Sequence, residues 1–299
     1  MSNTPSTELI CPYVLGATFG IEVTSPQGTP IVAEAKVVHV YAPFTMSSVM
    51  RITLTPQSTD TTLPGEAILK VYDRRFADGI RKMSSVAPPT SEGEIRYAEY
   101  LCAGNVAQTE HQVDEIADQL PEDALEHIEL SEQFISILVK GFFKNETITY
   151  RALSNLQGKY IPTFYGTTRF LDESSPGLDI AVPGVLVEFI PGTDLSLVDP
   201  TTIDVDTVCS TAVDIVNLYS NLNVLNSDVR LENFIVKPNG SEIVMIDFGH
   251  CRLRREDEDD QSWGKAKANA NEEGCVGWDM HDIFNWNYVE SERYYMYFS

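Results

Sequence analysis

The reading of this chain turns on one stretch, Asn226-Ser-Asp-Val-Arg-Leu-Glu-Asn-Phe-Ile-Val-Lys-Pro-Asn-Gly-Ser-Glu-Ile-Val-Met-Ile-Asp-Phe-Gly249. Phe234–Lys237 and Glu242–Ile246 are short apolar runs rich in β-branched residues. Pro238-Asn-Gly240 between them carries the residues of a tight turn, so the spacing predicts a hairpin. Asn233 and Asp247 stand at its two ends. Closing the hairpin brings the Asn233 amide back beside the Asp247 carboxylate, where both oxygen-bearing side chains can face one divalent cation. Magnesium suits that donor set, because it is a hard cation that takes oxygen ligands and fills its remaining positions with water or phosphate oxygens. Asp247 is expected to be the main ligand and Asn233 the second.

Asp228 precedes Asn233 in the pattern D-x-x-x-x-N, and D-F-G follows fourteen residues after Asn233. This order and spacing serve phosphoryl transfer. At roughly 5% usage per residue, such a set of identities arises by chance in on the order of one in ten thousand chains of this length, so the pattern is specific. In that chemistry Asp228 faces the acceptor hydroxyl and orients or deprotonates it, while the metal neutralises charge on the transferred group.

Upstream, Val37–Tyr41, Val49–Leu54 and Ala67–Tyr72 read as strands of an antiparallel sheet, with Pro, Gly, Ser and Thr between them. Ala67-Ile-Leu-Lys70 sets an amine inside an apolar strand, which is awkward unless an anion meets it or the amine snorkels to water. From Glu92 to Leu156 apolar residues recur at helical spacing, broken by Pro121. Strands return at Thr163–Phe170 and Gly184–Ile190, the latter closed by Pro191-Gly192, and Asp204–Leu222 is patterned as a buried helix.

With Lys70, Glu146, Glu188, Asp228, Asn233 and Asp247 in this order, the sequence resembles the protein-kinase-like superfamily, especially the divergent kinase-like proteins of filamentous fungi. The resemblance spans roughly Val37 to Gly249. Asn226–Val236 looks like the catalytic loop, and Asp73-Arg-Arg-Phe76 and Glu272-Glu-Gly-Cys-Val-Gly277 look like accessory motifs to which the sequence assigns no role.

The resemblance implies an α+β, two-lobed fold with a helical insertion in the small lobe and a reduced second lobe. Residues 1–11 would be a tail, 12–190 the small lobe with its insertion at about 77–143, and 191–299 the reduced helical lobe. It implies ATP and Mg2+ as cofactors. Lys70 would reach the ATP phosphates and pair with a glutamate, here Glu146, with Glu94 and Glu99 as rivals. Backbone groups at Glu188 and Ile190 would hydrogen-bond adenine.

The chain also departs from the family pattern. Asn226-Ser227 replaces the usual His-Arg before the catalytic Asp, which removes the arginine that receives an activation-loop phosphate. No G-x-G-x-x-G precedes Lys70; the turn between the first two of these strands is Ala42-Pro-Phe-Thr-Met-Ser-Ser48, so phosphate grip through backbone amides is weakened. Only fifty residues follow Gly249. That favours a small-molecule acceptor over a docked peptide.

Composition bounds the rest. At 299 residues, 43% hydrophobic, the chain can bury a sizeable core, and no apolar run approaches a membrane span. A formal charge of −23 opposes general affinity for nucleic acid or acidic lipid. The five cysteines are scattered without a CxxC pair and read as reduced thiols. The N-terminus lacks a secretory pattern, so a cytoplasmic or nuclear location is expected. Glu256–Asp260 reads as a solvated acidic loop. The expected function is ATP- and Mg-dependent transfer of the γ-phosphoryl group to a hydroxyl of a protein or small molecule. The alternative is a pseudokinase serving as a nucleotide-binding or scaffold module.

Overall fold

Alternation of apolar and polar residues builds the first part of the chain into strands whose inward faces converge. The computed structural model describes residues 8–28, 30–57, 63–105, 107–117, 128–171 and 177–297. The chain divides into two compact units, Met1–Phe143 with Tyr165–Val187, and Lys144–Phe164 with Glu188–Ser299. Both helix and strand are plentiful, and the architecture is α+β.

The first unit is built on β1 (Thr18–Thr24), β2 (Pro30–Tyr41), β3 (Ser48–Pro56), β4 (Glu66–Val71), β5 (Phe164–Phe170) and β6 (Gly184–Val187). They close into a barrel in the order β1-β2-β3-β4-β6-β5. The expected antiparallel pairing is present, but closure depends on β1, which the sequence reading did not assign. β1 pairs antiparallel with β2, Ile21 opposite Ala33, and with β5, Ile21 opposite Phe170. Phe19, Ile21 and Val23 alternate inward with Ala33, Ala35, Val37, Met50, Ile52 and Leu69. Burying each larger side chain contributes roughly 1.5–3 kcal/mol.

The helices between β4 and β5 are α1 (Asp78–Met83), α2 (Ser91–Cys102), α3 (Glu110–Ala117) and α4 (Ile128–Ala152), the last of which continues into the second unit. Within the stretch Glu92–Leu156 expected to be helical, α2, α3 and α4 are helices, but α2 ends at Cys102 rather than at Ala107 and the described residues between there and Glu110 are irregular; residues 106 and 118–127 lie outside the described residues. Asp73-Arg-Arg-Phe76 gains a structural role here. Asp73 is 1% exposed and accepts from the Arg75 backbone N–H at 3.0 Å, from the Arg75 guanidinium at 2.9 and 2.6 Å, and from the Tyr13 hydroxyl at 2.7 Å. Burial opposes the Arg75 charge, but Asp73 outweighs it and holds the guanidinium above its usual range. Arg74 pairs with Glu94 at 2.5 Å and with Glu132, and Arg81 pairs with Glu132 at 2.6 Å. The exit of β4 is thereby tied to α1, α2 and α4.

In the second unit α5 (Val205–Asn221) is capped by Asp204 and buries Val208, Ala212, Ile215, Val216 and Tyr219, the helical spacing read in the sequence. β7 (Thr193–Asp194) pairs with β9 (Phe234–Val236), which pairs with β10 (Ile243–Met245); β8 (Val224–Asn226) pairs with β11 (Cys251–Leu253). α6 (Asp260–Ala270) and α7 (Glu272–Phe284) follow, separated by Asn271 in a left-handed conformation. The acidic run Glu256–Asp260 is not simply a solvated loop. Glu258 is buried and takes two bonds of 2.8 Å from Arg252, while Asp259 caps α6. Among the described residues no helix is long and apolar enough to cross a membrane.

Candidate active site

The hairpin expected between Asn233 and Asp247 forms as β9 and β10, with Ile243 opposite Val236 and Met245 opposite Phe234. Its closure is completed by the Ile246 N–H, which donates to the Asn233 carbonyl at 2.8 Å. Asn233 and the residue preceding Asp247 are therefore direct neighbours, by ladder pairing alone. Asp247 itself has φ 65°. A non-glycine residue adopts the left-handed region only at a cost, so the surroundings must enforce it. One contributor is the Gly249 N–H, which donates to Asp247 Oδ1 at 3.3 Å. The Gly249 carbonyl in turn accepts from Asn145 on α4 at 3.3 Å.

Asp228 and Asn233 meet through a short 3₁₀ turn. The Asn233 amide nitrogen donates to the Asp228 backbone carbonyl at 2.8 Å and to Asp228 Oδ2 at 3.1 Å. Its amide oxygen therefore lies on the side away from Asp228, and Asn233 is 4% exposed. Arg230 brings its Nε to 3.4 Å from Asp228 Oδ1, with half of its own side chain in solvent. The sequence reading passed over Arg230. Its position two residues after Asp228 was the available signal, because a cation beside a carboxylate can also meet anionic oxygens of a bound molecule.

Behind the loop lies an aromatic cluster. Tyr150 stacks on Phe164 at 5.3 Å and 9° and meets Phe248 edge-on at 5.1 Å. Such pairs add about 0.5–1.5 kcal/mol each to area burial, and this one seats the residue next to Asp247. The Tyr150 hydroxyl is pushed well above its usual pKa by burial, then by Glu146, Asp247, Cys251 and Glu188. Three of the expected site residues, Glu146, Asp247 and Glu188, are thus near enough to one tyrosine to oppose its ionisation. Glu146 is fully buried on α4, one turn before it.

Glu188 uses its side chain on Thr163, accepting from the backbone N–H at 2.9 Å and the hydroxyl at 2.8 Å. Its own N–H donates to the Thr163 carbonyl at 2.9 Å, so that amide is already engaged within the chain. Ile190 follows in irregular chain, half-buried.

Lys70 belongs to the first unit. It is 7% exposed in β4, opposite Val49 and Val185. Of the rival glutamates, Glu94 is engaged by Arg74 and Glu99 is exposed. The Ala42–Ser47 turn rests on the start of α1. The Gly79 N–H donates to the Phe44 and Thr45 carbonyls at 3.3 and 3.1 Å, and the Ile80 N–H to Thr45 at 3.3 Å. Only glycine permits this approach, since a Cβ at Gly79 would sit 2.9 Å from the Thr45 Cα.

The donor chemistry fits magnesium. Among the described residues there is no cluster of three or more His, Cys, Asp and Glu side chains. An Asp carboxylate and an Asn amide oxygen, on chain positions that the Ile246–Asn233 backbone bond makes neighbours, are donor types that suit a cation completed by phosphates and water.

No family model matches the sequence, and no curated protein matches it. Among solved structures, one similar chain is a rhoptry kinase from Toxoplasma gondii, at 9% identity and a TM-score of 0.40. The alignment covers 80% of this chain and 51% of that one, so the chain spans about half the length of its structural neighbour.

Proposed function

We propose that this chain is an ATP- and magnesium-dependent phosphotransferase of the two-lobed protein-kinase-like kind, with a helical insertion in its small lobe and a reduced second lobe. One observation carries the reading: the Asn233 amide clamps both the backbone and the carboxylate of Asp228, while the same residue is hydrogen-bonded through its backbone to the strand that delivers Asp247. A plain surface turn has no need to coordinate these three polar residues.

In this proposal Asp247 and the Asn233 oxygen hold Mg2+, which when bound offsets the charge of the phosphates. The acceptor is a hydroxyl of a protein or small molecule. Its oxygen bonds to the γ-phosphorus, the bond to the β,γ-bridging oxygen breaks, ADP leaves, and the hydroxyl proton passes to Asp228. Arg230 faces the oxygens that gain charge. Lys70 serves the phosphates and Glu146 the lysine, while the Glu188 carbonyl and the Ile190 backbone meet adenine.

A second reading, a pseudokinase that binds without turnover, draws on the Ala42–Ser47 turn, whose Phe44 and Thr45 carbonyls are committed to α1. Calorimetry and thermal shift with Mg-ATP test both. At a hundredfold excess over Kd, ligand binding to the native state adds roughly 2.7 kcal/mol, and Asp247→Ala is expected to abolish it. No shift at millimolar Mg-ATP overturns the nucleotide reading; a shift without phosphotransfer or hydrolysis selects the pseudokinase.

A further inference from the structure

The accessory segment beginning at Glu272 sits against the strand that precedes Asp228. Lys267, in the last turn of α6, is 1% exposed, and its ammonium donates to the Val224 carbonyl at 2.8 Å and pairs with Glu272. The other oxygen of Glu272 accepts from the Asn226 N–H at 2.7 Å. The pair therefore grips both ends of the three-residue strand β8, one by its carbonyl and one by its amide. Asn226 passes the constraint on, because its Oδ1 accepts from the Asp228 N–H at 2.9 Å. The rings of Tyr219 and Trp263 flank the ammonium at 5.6 and 5.7 Å from their centroids.

This arrangement is costly as a device for stability alone. A buried ion pair is often no better than apolar residues of the same volume. Asn226 carries a further cost, since its amide nitrogen is buried without a hydrogen-bond partner among the described residues. What the set achieves is positional. Each member spends its polar atom on the backbone or side chain of the next, and the last N–H in the series belongs to Asp228.

We propose that Lys267 is a positioning residue which, through Glu272 and Asn226, fixes the backbone at Asp228 and so aims the carboxylate that receives the acceptor proton. The inference rests on the phosphotransfer reading for its catalytic consequence, but the relay itself has a readout that needs no activity.

The test compares Lys267→Met, Lys267→Arg and Glu272→Gln with the wild type. Amide hydrogen exchange at Asn226 and Asp228 is followed by NMR, together with kcat and the KM for ATP. Lys267→Met is expected to speed exchange at these two amides at least tenfold. It should also lower kcat about 10- to 100-fold and leave KM for ATP within about twofold, while Lys267→Arg recovers part of the loss. If Lys267→Met fails to fold, Glu272→Gln decides, because its amide oxygen can still accept from Asn226 while the charge that holds Lys267 is gone. Unchanged exchange at Asp228 in the folded variants overturns the relay, as does a rise in KM that matches the fall in kcat. A wild type that neither binds Mg-ATP nor turns over overturns the phosphotransfer reading instead, and exchange at Asp228 then decides the relay by itself.

Discussion

Two sets of buried charges in the first unit close upon one another, whereas one set in the second runs outward to a carboxylate that meets solvent. Asp73, Arg75 and Tyr13 satisfy each other beneath a 3₁₀ turn, and Arg74, Arg81, Glu94 and Glu132 do the same between helices. Lys267, Glu272 and Asn226 form a comparable set, but it ends on Asp228, whose side chain is 23% exposed. The chemistry of pairing is the same. The difference lies in the terminal member: a closed set can only hold elements together, while an open one sets the direction of a group that can act on something else.

The largest effect expected from this contrast is catalytic. Asp228→Asn removes the proposed proton acceptor and keeps its size, and on the phosphotransfer proposal it should lower turnover by about 10² to 10⁴ with stability and Mg-ATP affinity nearly unchanged. An equal loss of binding would show that the carboxylate is structural, like those of the first unit.

Asp73→Ala probes the other kind of charge. It strands Arg75 and the Tyr13 hydroxyl, and should cost about 3–5 kcal/mol in urea unfolding, the usual penalty for half of a buried pair. A cost under about 1 kcal/mol would erase the distinction between the two units.

A smaller effect is expected where helix α7 receives an aromatic ring. A Cβ at Gly277 would come 2.4 Å from the Tyr288 ring. Gly277→Ala should therefore lower stability by about 1–3 kcal/mol through overpacking, and Tyr288→Leu in the same chain should return part of it.

The smallest effect is a matter of pH. Hydrogen bonding from Arg252 holds the Glu258 carboxyl down at about 2, against an ordinary 4.5. Because the folded value is depressed, this stabilisation is present above pH 4.5 and is lost as pH falls towards 2. Glu258→Gln should flatten that part of the acid unfolding curve; an unaltered curve would mean that Arg252 and Glu258 gain nothing by their contact.

What could be read in the sequence was local. Asn233 and Asp247 flank a hairpin of a dozen residues, and the turn chemistry of Pro238-Asn-Gly240 suffices to bring their chain positions together. Lys70, likewise, showed itself as a buried amine by the apolar run around it. Barrel closure was hidden because β1 meets β5 across a separation of 147 residues, as in the Glu22–Arg169 pair, and no short-range pattern encodes that. Lys267 was missed for a related reason, and Glu272 was read only as the start of an accessory motif without a role. Five residues apart on a polar stretch, they look like solvated charges, and only the packing of Tyr219, Trp263 and β8 takes them out of water. Glu258 was misread in the same way, its arginine partners being visible but their geometry not.

Closure of the barrel carries one more consequence. An open sheet presents at its rims a row of unpaired amides and carbonyls, onto which a foreign strand can add, whether a legitimate partner or another molecule on the way to a fibre. With β1 bonded to both β2 and β5, that route is shut along the strand that would otherwise have formed the rim. A protein that recruits this unit along β1 therefore meets side chains rather than free backbone groups. Strands released by partial unfolding, rather than the native barrel, are where self-association would begin.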